Sequence, residues 1–209
     1  MFDRIRADIK AIREHDPAAR SSAEVFFLYS GFHAILYHRL SNFLFRHKRF
    51  FLARWVSQHA RRRTGIEIHP AAKIGRGVFI DHGMGVVIGE TAEVGDNCVI
   101  YQGVTLGGTG KDRGKRHPTL GNNVMVGSGA KVLGPFRVGD NARIAANAVV
   151  LREVPEGATV VGVPGRIVRL CGDKLDHIHT PDPVMLEIEE LKRRMALLEQ
   201  QINDVQKEN

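Results

Sequence analysis

The feature that most constrains this chain is a six-residue period beginning at Ile68. Aliphatic residues recur at Ile68, Ile74 and Ile80, at Ile88, Val94, Ile100 and Leu106, and at Leu120, Val126, Val132, Val138, Ile144 and Val150, thirteen anchors in all. Four places after each anchor stands a second apolar residue, usually small: Ala72, Val78, Met84, Ala92, Cys98, Val104, Val124, Ala130, Phe136, Ala142, Ala148 and Val154, with Gly110 as the exception. A helix repeats every 3.6 residues and a strand every two, so neither yields a period of six. A hexapeptide repeat is the signature of a parallel β-helix, each hexad being one short strand plus a corner. Glycine supplies 22 of 209 residues, above an ordinary share of roughly 7%. Much of that excess follows an anchor directly, as at Gly75, Gly89, Gly95, Gly107, Gly121, Gly127 and Gly139. Together with Asn in Gly95-Asp96-Asn97, Gly121-Asn122-Asn123 and Gly139-Asp140-Asn141, it supplies the backbone freedom that tight corners need.

The flanks carry other periods. Residues 1–64 read as helix: a short one over Phe2 to Glu14 stops before Asp16-Pro17, and Ser21-x-x-Glu24 is a capping box. The run Phe27, Leu28, Phe32, Ile35, Leu36, Leu40, Phe43 and Leu44 then falls at helical spacing. Arg61-Arg62-Arg63 reads as a helix end whose cations complement the dipole, not as a nucleic-acid stripe, since no interleaved aromatic or recognition motif accompanies it. After Gly162-Val163-Pro164-Gly165, the residues Val184, Ile188, Leu191, Met195, Leu198, Ile202 and Val205 alternate spacings of four and three, a heptad seam. The expected class is therefore α+β: a helical segment over 1–64, a parallel β-helix over 65–168 with an extruded loop at 107–118, and a linker with a coiled-coil-like helix over 169–209.

Function classes narrow on composition. With 43% hydrophobic residues the chain can bury a core, which excludes disorder as its main state. Two cysteines make neither a disulfide framework nor a four-ligand zinc site. The longest apolar stretch, Val25 to Tyr37, is interrupted and too short to span a bilayer, and the N-terminus lacks a signal-peptide pattern. A cytoplasmic protein without nucleic-acid or membrane partners is expected. The net charge of +7 suits an anionic ligand by steering.

The hexads break twice, and breaks in a solenoid map to function. Two extra residues enter at Asp81-His82-Gly83-Met84-Gly85, and a basic, glycine-rich loop runs from Gly107-Gly108-Thr109-Gly110-Lys111 to Arg116-His117-Pro118. With Ile68-His69-Pro70-Ala71-Ala72-Lys73-Ile74-Gly75, Ile88-Gly89-Glu90-Thr91-Ala92 and Gly162-Val163-Pro164 added, the chain closely resembles serine acetyltransferases from about Asp16 to Val168. The resemblance implies a left-handed β-helix, trimers with active sites between neighbouring subunits, and acetyl transfer from acetyl-CoA to the hydroxyl of L-serine, the first step of cysteine biosynthesis. Acetyl-CoA would be a co-substrate, with no permanent cofactor and no metal.

By motif position His82 would be the base, with Glu67 as the carboxylate behind it where many members have aspartate. Asp81, Arg116 and His117 match residues that hold the amino acid, and Asp16 matches a helical-domain acid reaching the same pocket. Gly108, Thr109, Ser128 and Ala146 match positions lining the CoA groove. The short helical segment leaves a trimer expected and a dimer of trimers open. The C-terminus, Lys207-Glu208-Asn209, does not match the isoleucine with which long members engage the downstream sulfhydrylase, so that complex is not expected.

These residue types suit the chemistry on their own terms. A serine hydroxyl needs a positioned base, most often histidine, and a carboxylate behind an imidazole fixes its tautomer and stabilises the imidazolium. Arginine meets a carboxylate through a planar fork. Three other readings compete at this point, of which the second fails on its ligand set. The first is a sister acyltransferase acting on a sugar or antibiotic hydroxyl. The second, a three-histidine zinc enzyme, needs a histidine five residues after another, where this chain has Asn122 after His117. The third is a non-catalytic trimeric scaffold. Cys98, at a small interior position, reads as inert core.

Overall fold

The hexads fold as strands of two or three residues separated by corners. The computed structural model describes residues 2–110, 113–170, 173–174, 191–195 and 198. Four helices come first: α1 (Phe2–His15), α2 (Ser22–Leu28), α3 (Ser30–Arg46) and α4 (Phe50–Thr64). The strands follow as β1 (Glu67–Ile68), β2 (Lys73–Ile74), β3 (Phe79–Asp81), β4 (Val87–Ile88), β5 (Glu93–Val94), β6 (Val99–Tyr101), β7 (Thr105–Gly107) and β8 (Thr119–Leu120). The later coils add β9 (Met125–Val126), β10 (Lys131–Leu133), β11 (Arg137–Val138), β12 (Arg143–Ile144), β13 (Val149–Val150), β14 (Thr159–Val161), β15 (Arg166–Leu170) and β16 (Asp173–Lys174).

Every third strand stacks on the one before, so the coil has three parallel faces. Face A is β1-β4-β7-β10-β13, face B is β2-β5-β8-β11, and face C runs from β3 through β6, β9 and β12 to β14. The register keeps anchor on anchor: Ile68 pairs Ile88, Ile88 pairs Leu106, and Leu106 pairs Val132. Twelve of the thirteen anchors are buried and Ile74 is partly so, and they join one continuous core. Burying each such side chain contributes about 1.5–3 kcal/mol. At the corners Asn97, Asn123 and Asn141 adopt φ of 56°, 55° and 59°. Asn123 Nδ2 donates to Asn141 Oδ1 at 3.2 Å, so the corner residues also stack from coil to coil.

One expected interior residue is not inside. Met84 is 67% exposed, and Val86, fully buried, takes its place. The two inserted residues reset the register: the small interior residue stands two places before the next anchor, and that count runs back from Ile88 to Val86.

The helices follow the sequence signals, with one added break. Ser21 Oγ accepts from the Glu24 N–H at 3.1 Å, while Glu24 Oε2 accepts from Arg20 N–H at 3.0 Å, one residue before the usual partner. The Arg61–Arg63 run ends α4, and Gly65 follows in the left-handed region. The apolar run splits at Tyr29, which is extended between α2 and α3. This break brings Gly31 against the coil, where an added Cβ would occupy the Ile80 carbonyl. Ala34 and Ile35 of α3, with Ile66, extend the solenoid core at its first turn. Ile12, Val25 and Phe32 pack on Phe79 and Val99, which project outward from face C. A buried Asp8 carboxylate ties these layers, accepting from the Gly77 N–H at 3.1 Å and meeting Arg39 at 2.6 Å.

Helices and solenoid, Met1–Asp173, form one compact unit, and Lys174–Asn209 form a second. In the second, Leu191–Met195 and Leu198 are helical, and Leu191, Met195 and Leu198 are exposed. The rest of the heptad seam, Val184, Ile188, Ile202 and Val205, lies outside the described residues. No described helix is long and apolar enough to cross a membrane.

Replacing Gly31 by Ala should destabilise the protein by about 1–3 kcal/mol, the range for forcing an extra group into a packed site. Thermal unfolding checks this, and an unchanged melting temperature would show that α3 does not seat tightly on β3.

Candidate active site

Strand order sorts the candidate residues onto two edges of the prism. The corner after each face C strand forms one edge, and the corner after each early face A strand forms the other. His82 follows β3, Ser128 follows β9 and Ala146 follows β12, all on the edge between faces C and A. Gly108, Thr109, Arg116 and His117 lie between β7 and β8, on the edge between faces A and B. One chain therefore carries its candidate residues in two groups on different edges.

At the first edge His82 stands in the left-handed region at φ 58°, followed by Gly83 at 73°. A β-free corner of this kind costs a non-glycine residue of order 1–3 kcal/mol. It is closed by Gly83 N–H to the Asp81 carbonyl at 2.6 Å and Met84 N–H to the His82 carbonyl at 3.0 Å. The bulge pushes the imidazole outward, 72% exposed, with Nε2 3.9 Å from Asp81 Oδ1. The helices complete the surroundings: Ser30 Oγ reaches the His82 carbonyl at 3.5 Å. Tyr29 donates its hydroxyl to Asp16 Oδ2 at 2.6 Å. Burial and that carboxylate push the Tyr29 phenol up to about 12, so it remains a donor at neutral pH. Asp16 Oδ1 also accepts from Ala18 N–H at 2.8 Å, so the acid starts a turn as well as facing Tyr29. Further along this edge Ser128 Oγ donates to Gln102 Oε1 at 3.3 Å.

Glu67 lies in β1, where Arg61 and Arg54 of α4 hold its carboxylate at 3.2 and 3.5 Å. It forms no ion pair with His82 among the described residues.

At the second edge the loop is anchored at its base. Glu90 pairs with the Arg116 guanidinium, and Glu93 takes Lys73 at 3.0 Å and Lys115 at 3.7 Å. The Arg116 hydrogen bond holds the Glu90 carboxyl below the usual carboxylate range, and the Lys73 bond does the same for Glu93. His117 is only 8% exposed and lies across Gly89, where any Cβ would collide with the ring. Burial, then the Arg116 charge, push its imidazole down, away from the charged form. The second edge is thus a braced cationic fork beside a neutral ring.

Sequence reasoning named His82, Asp81, Asp16, Arg116 and His117, but it passed over Tyr29, Glu90 and Thr91 as site residues. The last two lay inside a quoted motif, one coil before the loop. Tyr29 lay unmarked within the apolar stretch from Val25 to Tyr37. Cys98, fully buried, has its thiol pushed up to about 11 by burial, as an inert core group should.

A parallel hexapeptide coil with an exposed histidine at a corner and a basic loop at the next edge defines an acyltransferase-type solenoid. Two family models match: "Bacterial transferase hexapeptide (six repeats)" over residues 117–152 and "Serine acetyltransferase, N-terminal" over residues 1–36. The chain is 54% identical over 199 residues to a serine acetyltransferase of Staphylococcus aureus strain Mu50, covering 93% of each. Among solved structures, the Neisseria gonorrhoeae serine acetyltransferase in complex with serine is 44% identical with a TM-score of 0.78, over 80% of this chain and 69% of that one. The Brucella abortus strain S19 enzyme in complex with coenzyme A is 44% identical with a TM-score of 0.80, over 82% and 68%. The chain belongs to the serine acetyltransferase family.

Because the Glu90 carboxyl is depressed in the folded state, its bond to Arg116 contributes fully above the ordinary carboxylate range and is lost as pH falls below that range, through the depressed folded-state value. Protection factors of the backbone amides at 113–117, corrected for the intrinsic pH dependence of exchange, should therefore fall once the pH drops below the ordinary carboxylate value of about 4, and Glu90→Gln should lower them at neutral pH. Protection that is unchanged by either would show that Glu90 does not brace the loop.

Proposed function

We propose that this chain transfers the acetyl group of acetyl-CoA to the hydroxyl of L-serine, in a site shared between neighbouring copies. The observation that carries the reading is the division of the candidate residues between two edges. One edge offers an exposed imidazole beside Asp81, the other an arginine fork braced by Glu90 and set next to His117. Serine carries both charges, so its ammonium suits Asp81 and Asp16 while its carboxylate suits Arg116. A trimer that apposes the first edge of one protomer to the second edge of the next unites the halves.

In that site His82 takes the proton from the serine hydroxyl as the oxygen attacks the thioester carbonyl. The tetrahedral oxyanion collapses, the C–S bond breaks, and CoA thiolate leaves. The imidazolium returns its proton to that thiolate, giving O-acetylserine and CoA. Motif position assigns Glu67 to stabilise the imidazolium, a role for which its carboxylate would have to leave Arg54 and Arg61; among the described residues the carboxylate nearest His82 is Asp81, 3.9 Å from Nε2. Gly108, Thr109, Ser128 and Ala146, divided between the same two edges, would line the CoA groove, and the positive charge of the chain suits its phosphates.

Exposed apolar residues support the assembly. Met84 and Val87 flank the His82 corner. Phe27, Leu28, Phe51 and Trp55 form exposed apolar surface on α2 and α4, available to a second trimer. The exposed Leu191, Met195 and Leu198 are spaced as a seam, which we assign to reinforcing the trimer. The buried free Cys98 thiol suits a cytoplasmic, reducing setting.

His82→Ala should lower kcat by about 10²–10⁴-fold with the serine KM little changed. Co-expressed His82→Ala and Arg116→Ala chains should regain roughly a quarter of wild-type activity, since random mixing gives that share of sites both intact edges. No recovery in mixed trimers would place each site within one chain. Turnover of a sugar or an antibiotic hydroxyl in preference to L-serine would overturn the substrate assignment. Deleting residues 184–209 should lower the trimer's melting temperature, and unchanged mass and melting would remove the seam's assigned role.

A further inference from the structure

We propose that Thr91 is a positioning residue that locks His117 as the neutral Nε2–H tautomer and fixes the Arg116-His117 pair at the second edge. This rests on the reading that the pair holds serine. Thr91 is a hub at the corner one coil before the loop returns. Its Oγ1 accepts from the Arg116 N–H at 3.0 Å and from the His117 N–H at 3.1 Å. Its backbone N–H donates to His117 Nδ1 at 3.1 Å, and Oγ1 lies 2.9 Å from the same nitrogen. Its carbonyl accepts from Lys115 Nζ at 2.7 Å.

The tautomer follows from donors and acceptors. A backbone N–H has no acceptor role, so Nδ1 must present a lone pair to Thr91. The hydroxyl has already accepted two N–H groups, and its own proton is directed to Nδ1. The ring proton therefore sits on Nε2. The charged groups around the ring are Arg116 and Lys115 from the loop, Glu90 from the preceding corner, and His69 from the first coil. Protonating Nδ1 would set an N–H against the Thr91 N–H in a largely buried place, an arrangement that costs the desolvation of both.

The consequence is a division of labour between the two histidines. His82, exposed on its bulge, exchanges a proton with substrate. His117 holds its proton and offers Nε2–H as an uncharged donor beside Arg116, where a second cation would repel the guanidinium. Because the amino-acid site needs both residues in register, Thr91 acts on serine binding without touching serine.

The test is ¹⁵N-histidine NMR of the intact oligomer, joined to steady-state kinetics. In the wild type, His117 should show a protonated Nε2 and a bare Nδ1 from about pH 6 to pH 9. A protonated Nδ1 or an imidazolium in that range overturns the lock without any variant. Thr91→Val keeps the shape and removes the hydroxyl. It should raise the serine KM by about tenfold or more, leave the acetyl-CoA KM within about twofold, and let His117 titrate in that window. Thr91→Ser should restore both readouts toward wild type. A Thr91→Val enzyme with unchanged spectrum and serine KM overturns the proposal. A changed His117 spectrum with unchanged serine KM supports the lock and overturns the serine assignment of the Arg116-His117 pair.

Discussion

The interior of the coil is the constraint on which everything else depends. Each hexad must place one aliphatic anchor and one small residue inside a narrow prism, and each corner must turn within a few residues. Stacked strands exchange every backbone hydrogen bond with the coil above or below, so an insertion within a strand would orphan several buried groups at once. Insertions are therefore confined to corners. The two that occur, at His82 and in the 107–118 loop, sit at corners and leave the anchor register intact on either side. Chemistry here lives on edges because the faces have no freedom to hold it.

The helices matter through the same geometry. They do not extend the coil; they pack on its first turn and on the outer side of face C. Tyr29 breaks the helical run where a continuous helix would carry α3 away from β3. Gly31 then admits the Ile80 carbonyl, and Ser30 meets the His82 backbone. Asp81 comes from the coil beside the histidine, while Asp16, just after α1, takes the Tyr29 hydroxyl.

Much of the fold was legible in spacing, since a period of six over thirteen anchors admits few structures. Its one error of detail was instructive. Counting forward from Ile80 put Met84 inside, whereas the physical requirement is set by the next anchor, and counting back from Ile88 finds Val86. The candidate residues were legible as breaks in the pattern, but the bracing was not. Glu90 and Thr91 look like any corner residues in sequence, and only stacking of coils puts them beneath Arg116 and His117, 26 residues later. Glu67 shows the same limit from the other side. Its position in the motif suggested a partner for His82, while within the chain its charge is met by Arg54 and Arg61, cations that belong to a helix the hexad pattern does not describe.

The proposed division of the site between two edges has a physical logic. A protomer that held an exposed imidazole, two carboxylates and a guanidinium within one pocket would let its own charges pair. Arg116 would then meet Asp81 directly and leave nothing for a zwitterionic ligand. Here the cation is braced by Glu90 on its own edge, while Asp81 stands beside His82 on the other, so the guanidinium and that acid are kept apart within one chain. In the proposed trimer the two edges would leave between them a gap with acid on one wall and a guanidinium on the other. A small zwitterion would complete such a gap better than either wall completes the other, since the guanidinium is already held by Glu90 of the preceding coil and Asp16 by the Tyr29 hydroxyl.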